Sequence, residues 1–286
     1  MTCFIDAETE VQLLEFRAKI TGPSSVVQRL SAIFPTAPAW TTLRAVSNTV
    51  SLRASTNTTD ASRGQIFCDD VLRGETNSAD DLLAGLSWAI TTGAIEYLGN
   101  EHMLFHAGAA AFKNRGILLP APGGSGKTTL VASLIRRGFQ YLADDVAVVA
   151  RSTSECLPYA QSLSIKGEAR DLLAPLYPEL ANVESGLHFR GQEVTYLPPP
   201  RRAWPEQPVP IEYIVVPTYV PATLTTLTPI SRMHAVRCLL EQSFNAQRLG
   251  GLALTKTSEL VRGAECYALT FGDARAASDL IQKIVV

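Results

Sequence analysis

Cysteine is scarce and scattered: Cys3, Cys68, Cys156, Cys238 and Cys266 are odd in number, far apart and never in a Cys-x-x-Cys pair. That pattern argues against a disulfide framework or zinc ligation and predicts reduced, mostly buried thiols. Charge is thin as well. Only 18% of residues are charged, 25 Lys and Arg nearly balance 27 Asp and Glu, and no basic face or tail stands out. Nucleic acid and anionic membranes are held mainly by clustered cations that release counterions, so the composition argues against both partners. Long apolar runs are missing too. The longest uncharged apolar stretch, Leu82 to Ile95, lies between Asp81 and Glu96 and is shorter than the roughly 20 residues a spanning helix needs. The first twenty residues carry acids early and lack the basic-then-apolar start of a secretory signal, which predicts a cytoplasmic protein. No repeat of solenoid period is visible.

What is present is a chain able to build a sizeable core. Hydrophobic residues make up 46% of its 286 positions, far from the regime of disordered chains, and the length suits one large or two modest domains. Residues 1 to about 78 are short mixed segments broken by polar runs and read as a small α+β domain. Val50, Leu52 and Ala54 alternate as in a strand, and Val26 to Leu30 with Ile33 suggest a short helix after Gly22-Pro23-Ser24-Ser25. Leu82, Leu83, Leu86, Ile90, Ile95 and Leu98 recur near helical spacing behind acidic starters and predict a long helix ending near Gly99. The chain therefore divides into a domain over residues 1–99 and a second over 100–286. In the second, MLFHAGAAAF and GILLPAP flank Lys113-Asn114-Arg115-Gly116 as a β-hairpin flanks its turn. Leu197 to Pro210 is a stiff, proline-rich connector.

The second hairpin strand runs into Ala121-Pro122-Gly123-Gly124-Ser125-Gly126-Lys127-Thr128. This is Gly-x-x-x-x-Gly-Lys-[Ser/Thr] with Ala121 in place of the first glycine. Glycines let consecutive backbone N–H groups turn inward as an anion nest, Lys127 adds a point charge, and the Thr128 hydroxyl can ligate Mg²⁺. A helix predicted from Lys127 to Arg137, with Thr129 in its first turn and Gly138 as its stop, aims its positive end at the same anion. The residues Gly123, Gly124, Ser125, Gly126, Lys127, Thr128 and Thr129 thus form a candidate nucleotide-phosphate site. One helix and one short strand later, Asp144 and Asp145 end or interrupt an apolar run. Two adjacent acids in apolar surroundings are tolerated when a divalent cation or a transferable proton compensates them.

Taken together, FHAGAAAFKNRGILLPAPGGSGKTTLVASLIRRGFQYLADDVAVV resembles the core of the HPr kinase/phosphorylase superfamily, in particular HPr kinase-related proteins such as lasso-peptide kinases. Looser similarity continues through SLSIKGEARDLLAPLYPEL, EVTYLPPP, PIEYIVVPTY and LLEQSFNAQRL, so it covers roughly residues 100 to 286. The resemblance implies an α/β fold, an HPr kinase-like P-loop domain beside a smaller amino-terminal α+β domain. It also implies an ATP- and Mg²⁺-dependent kinase transferring the γ-phosphoryl group to a hydroxyl. Asp144 with Thr128 would serve the metal, Asp145 would be the base toward the acceptor, and His106, on the strand before the loop, would support the acid or the acceptor. Lys166 and Arg190 are possible phosphate or acceptor contacts, while Glu241, Ser243 and Asn245 read as helix-end structure. The amino-terminal half does not resemble that of HPr kinases, and their Glu-Ile-Arg-Gly-Leu-Gly segment is absent, Phe189-Arg190-Gly191 being at most a fragment of it. HPr itself is therefore not supported as acceptor. A serine or threonine of a peptide or small protein is the leading expectation. A small-metabolite kinase and a non-catalytic, nucleotide-gated binding protein are the alternatives.

Overall fold

A computed structural model of the chain describes residues 6–36, 48–56, 64–183, 185–187 and 193–286. Phe189, Arg190 and Gly191 lie outside the described residues, as does Cys3.

Period-two burial governs the first strands. β1 (Asp6–Leu13), β2 (Phe16–Pro23), β3 (Asn48–Thr56) and β4 (Gly64–Cys68) bury Val11, Leu13, Phe16, Ala18, Ile20, Leu52, Ala54 and Ile66 on one face, because successive side chains of a strand point to opposite sides. With β5 (Val71–Thr76) they form a five-stranded sheet in sequence order. The strand expected at Val50–Ala54 is β3, and the expected short helix is two single turns, α1 (Ser24–Val27) and α2 (Leu30–Ile33). The long helix is α3 (Ala79–Leu98), which lays Leu82, Leu86, Ile90 and Ala94 on the apolar face of the sheet. Ser78 caps it by accepting from the Asp81 amide at 3.0 Å, and Asp80 and Asp81 offset the positive end of its dipole.

The chain continues through β6 (His102–Phe105), β7 (Ala107–Phe112), β8 (Arg115–Pro120), α4 (Lys127–Arg136), β9 (Gln140–Ala143), β10 (Ala147–Ala150) and β11 (Glu155–Leu157). The hairpin turn expected at Lys113-Asn114-Arg115-Gly116 is tighter than that: Lys113 and Asn114 alone join β7 to β8, both left-handed (φ 50° and 64°) as a type I′ turn requires, and Arg115 and Gly116 already pair in β8. Next come β12 (Leu163–Lys166), α5 (Ala169–Leu173), β13 (Ser185–Leu187) and β14 (Glu193–Leu197), whose strands form a small sheet in the order β12-β14-β13. The last stretch is β15 (Val209–Tyr219), β16 (Thr226–Pro229), α6 (Arg232–Glu241), α7 (Ala246–Leu249), α8 (Gly251–Arg262), β17 (Glu265–Phe271) and α9 (Ala274–Val285).

This mixed α/β chain separates into two compact units. The first falls within Met1–Leu98, Ala160–Arg170 and Glu179–Pro198, the second within Gly99–Tyr159, Asp171–Pro178 and Pro199–Val286. Residues 160–170 and 179–198 cluster with the amino-terminal sheet although they lie well past residue 99. The reason is local: Ser162 donates its amide to Ile33 O at 2.8 Å and its hydroxyl to Ala32 O, and α2 packs on β14. No helix among the described residues is long and apolar enough to cross a membrane.

The second unit is organised by β15. Its start pairs with β11, its middle runs parallel to β8, and its end runs parallel to β17. β7 is antiparallel to both β8 and β9, so β9, β8, β15 and β17 all point the same way. Their carboxyl ends share one edge of the sheet, the edge at which α/β sheets hold ligands. α4 packs over β7, where a Cβ on Gly108 would come within 2.8 Å of Val131 Cγ2. Leu130, Val131, Leu134 and Ile135 are buried. On its other sides α4 is braced by Tyr177, whose hydroxyl donates to Ala132 O at 2.7 Å, and by α9 through the Ser278–Ser133 hydroxyl pair at 2.8 Å.

Candidate functional site

At the carboxyl end of β8 the chain makes the loop that the glycine pattern predicts. Gly124 and Gly126 are left-handed, each with φ 81°, a conformation that costs other residues a steric penalty. Ala121 is not among the left-handed residues and is buried, which explains why a methyl group is tolerated where the motif usually has its first glycine. Gly126 is fixed a second way, since a Cβ there would lie 2.7 Å from Phe271 Cζ. It is also the N-cap of α4, and its backbone directs the first-turn N–H groups of that helix to the loop mouth. Ser125 Oγ donates to Pro122 O at 2.8 Å. The Lys127 ammonium is drawn into the loop, donating to Ala121 O at 2.6 Å and Pro122 O at 2.9 Å, and is 5% exposed. Thr128 and Thr129 are half-buried in the first turn of α4.

The two acids fall in the bend between β9 and β10 and part company there. Asp144 is buried and accepts from the Thr128 hydroxyl at 3.1 Å, while the Asp145 side chain keeps 31% of its surface exposed. A matching break separates β6 from β7. The ladders on either side hold one register, Phe105 opposite Ala147 and Ala109 opposite Ala143, so residues 106–108 face 144–146. His106 sits in that break with Nε2 3.8 Å from Asp145 Oδ1. Its side chain is 30% exposed, so it is not a fully buried core histidine. The negative field of the bend reaches back into β9. Burial foremost, then Asp144 and Asp145, hold the Tyr141 phenol well above the usual tyrosine range, so it stays neutral.

One residue of this cluster escaped the sequence reading. Gln242, the C-cap of α6, brings Oε1 to 3.3 Å from His106 Nδ1 and accepts the His106 amide on its own carbonyl at 2.7 Å. A neutral imidazole has one N–H. If Nδ1 donates to Gln242, a lone pair faces Asp145; if the amide N–H of Gln242 donates to Nδ1, Nε2–H faces the carboxylate. The amide can therefore pair with either tautomer of His106. Residues 242–244 run antiparallel beside 104–106, with Phe105 bridged to Ser243 and the Phe244 amide donating to Leu104 O at 2.9 Å. In the sequence this segment is marked by its helix-end position and by the looser family similarity of LLEQSFNAQRL, neither of which singles out Gln242.

The remaining expectations separate. Asn245 is structural: buried, it accepts from the Leu104 amide at 3.2 Å and donates to Gly99 O and His102 O at 3.1 and 2.9 Å. Ser243 Oγ reaches Asn245 at 3.3 Å, and Glu241 is exposed with Arg237 at 3.7 Å. Lys166 ends β12 with an exposed side chain and belongs to the first unit. Cys68, Cys156, Cys238 and Cys266 are free thiols. Burial is the first cause that raises each of them, Cys156 to about 12, the opposite of an activated nucleophile.

No group of three or more His, Cys, Asp or Glu side chains suited to a metal occurs among the described residues. Mg²⁺ does not need one, since it keeps several waters and binds through one or two protein oxygens plus phosphate. The Thr128 hydroxyl and the Asp144 carboxylate, hard oxygen donors already in contact, fit that demand. No protein-family model matches the chain, and no curated protein matches it.

Proposed function

We propose that the chain is an ATP-dependent kinase of the HPr kinase-like P-loop type, transferring a γ-phosphoryl group to a hydroxyl. The observation that carries the reading is the division of labour in the bend after β9: Asp144 buried on Thr128 of the loop helix, Asp145 half-exposed beside His106. A module that only bound nucleotide would need the first arrangement and not the second.

In this reading the amides of residues 123–128 and the Lys127 ammonium hold the phosphates, a phosphate oxygen taking over from the carbonyls of Ala121 and Pro122. Thr128 and Asp144 would hold Mg²⁺, which would supply charge neutralisation to the triphosphate. Asp145 accepts the proton of the acceptor hydroxyl as attack begins, and His106 orients that carboxylate. The partial exposure of Asp145 and His106 supports an acceptor that presents its hydroxyl from solvent, such as a serine or threonine of a peptide or small protein, over a fully enclosed metabolite.

The test is γ-labelled ATP with Mg²⁺ in a native extract, separated into macromolecular and small-molecule fractions. Wild-type protein should label the macromolecular fraction. Lys127→Ala should lose nucleotide binding, and Asp145→Asn should keep binding while transfer falls about 10²-fold or more, the scale of general-base removal. Label confined to small molecules beyond hydrolysis identifies a metabolite kinase. Binding without any transfer identifies a nucleotide-gated module.

A further inference from the structure

Four parallel strands end on one edge of the second unit, and they do not end alike. β9 leads past Ala143 into Asp144 and Asp145, and His106 stands beside Asp145 just before β7 begins. β8 feeds the glycine loop. On the far side of β8, β15 ends in Tyr219 and β17 in Phe271. The loop therefore has an acidic flank and an aromatic flank.

The aromatic flank is built against the loop itself. Gly126 lies so close that a Cβ on it would meet Phe271 Cζ at 2.7 Å and Tyr219 Cβ at 3.3 Å. Phe271 is buried at 1% exposure and supports the Tyr219 ring edge-on, with centroids 5.7 Å apart and planes at 63°, while Tyr219 keeps 37% of its surface open. The turn that follows, Tyr219-Val220-Pro221-Ala222-Thr223-Leu224, has no charge. It is pinned in place: the Val220 amide donates to Phe271 O at 2.9 Å, and Gly272 backs the turn so closely that a Cβ would sit 2.9 Å from Val220 O and Thr223 N. Val220 and Leu224 remain exposed at 41% and 86%.

We infer that Tyr219, supported by Phe271 and flanked by Val220, is the platform on which the nucleobase of a bound nucleoside triphosphate stacks. This rests on the phosphate-site reading of residues 123–128. A nucleotide whose phosphates lie in that loop extends its base to one side of β8. On the acidic side the base would occupy the space in front of Asp145 and His106 that the acceptor hydroxyl needs, and it would meet carboxylates. On the other side it meets a held aromatic ring with an open surface and an uncharged rim. The chain thus gives the triphosphate a direction, base toward β15 and β17, γ-phosphate toward β9.

The test compares MgATP with magnesium tripolyphosphate, which has the charge and no base, by titration calorimetry on the full chain. Tyr219→Ala keeps the Cβ that packs on Gly126, and it should weaken MgATP about tenfold or more, the scale of one base on one aromatic ring, and leave tripolyphosphate within about twofold. Tyr219→Phe should bind MgATP as wild type does. In Tyr219→Trp, fluorescence beyond the wild-type background should respond to MgATP and not to tripolyphosphate. Unchanged MgATP affinity in Tyr219→Ala, or equal loss of both ligands, overturns the platform. Lys127→Ala separates the two readings: loss of both ligands there with Tyr219→Ala unaffected sinks only the base subsite, whereas a Lys127→Ala protein that binds both normally sinks the phosphate site and this inference with it.

Discussion

The Thr128 hydroxyl donates to Asp144 Oδ2 at 3.1 Å, joining the first turn of α4 to the bend after β9. Both groups sit at element ends fixed by packing, and on the proposed kinase reading they would hold Mg²⁺ together. Asp144→Asn should raise the Mg²⁺ concentration needed for half-maximal ATP binding, with a milder rise in Thr128→Val. Magnesium titrations at fixed ATP read this directly. Equal Mg²⁺ dependence in wild type and both variants would remove the pair from the metal site.

Gln242 should act through His106. Gln242→Leu should leave MgATP affinity unchanged and lower transfer about tenfold, a fraction of the 10²- to 10⁴-fold that a positioned acid or base contributes. Gln242→Glu, which keeps an acceptor oxygen beside His106 Nδ1, should recover most of that loss in kcat with MgATP affinity still unchanged. A purely structural Gln242 would show a fall in thermal midpoint that tracks the fall in activity, and no recovery in Gln242→Glu.

Asn245 makes a stability prediction independent of any activity. Its side chain serves one buried amide and two buried carbonyls at the edge of β6. Asn245→Ala strands those groups and should cost about 2–3 kcal/mol, within the range for unsatisfied buried polar groups. Urea unfolding measures the difference; a loss below about 0.5 kcal/mol would show that water replaces the amide.

A fragment of residues 99–286 should fold poorly, because β12 and β14 belong to the first unit and Ser162 loses its partners at Ala32 and Ile33. Limited proteolysis should cut that fragment within 160–198 faster than the full chain. Equal protection in both would mean that the segment holds its structure without the amino-terminal sheet.

Alkaline pH should destabilise the fold. Burial raises the Cys156 thiol from its ordinary value near 9 to about 12, and also raises the Tyr141 and Tyr159 phenols. With a folded pKa above the unfolded one, the native state binds more protons between them, so the stabilisation is complete below about pH 9 and is lost as pH rises toward the folded value. Thermal midpoints should fall between pH 9 and 11, less steeply in Cys156→Ala. Parallel curves for the two proteins would count against burial of the thiol as a cause.

The sequence by itself determined the features that are local. Glycines at 124 and 126 permit a left-handed loop, Lys113-Asn114-Arg115-Gly116 marks a hairpin turn, and the periodicity of residues 82–98 favours a helix, because each depends on backbone sterics or burial within a few neighbouring residues. It also set Asp144 and Asp145 one strand after the loop helix. Only the tertiary structure decided what those acids face. Asp144 turns inward to Thr128 and Asp145 outward to His106 because two strand breaks align in one register. Gln242 comes from 136 residues beyond His106, and Tyr219 and Phe271 meet Gly126 only because β15 and β17 run parallel to β8. The return of residues 160–170 and 179–198 to the first unit was hidden as well, because the bonds of Ser162 to Ala32 and Ile33 and the packing of α2 on β14 join segments far apart in the chain, and composition does not encode such partners.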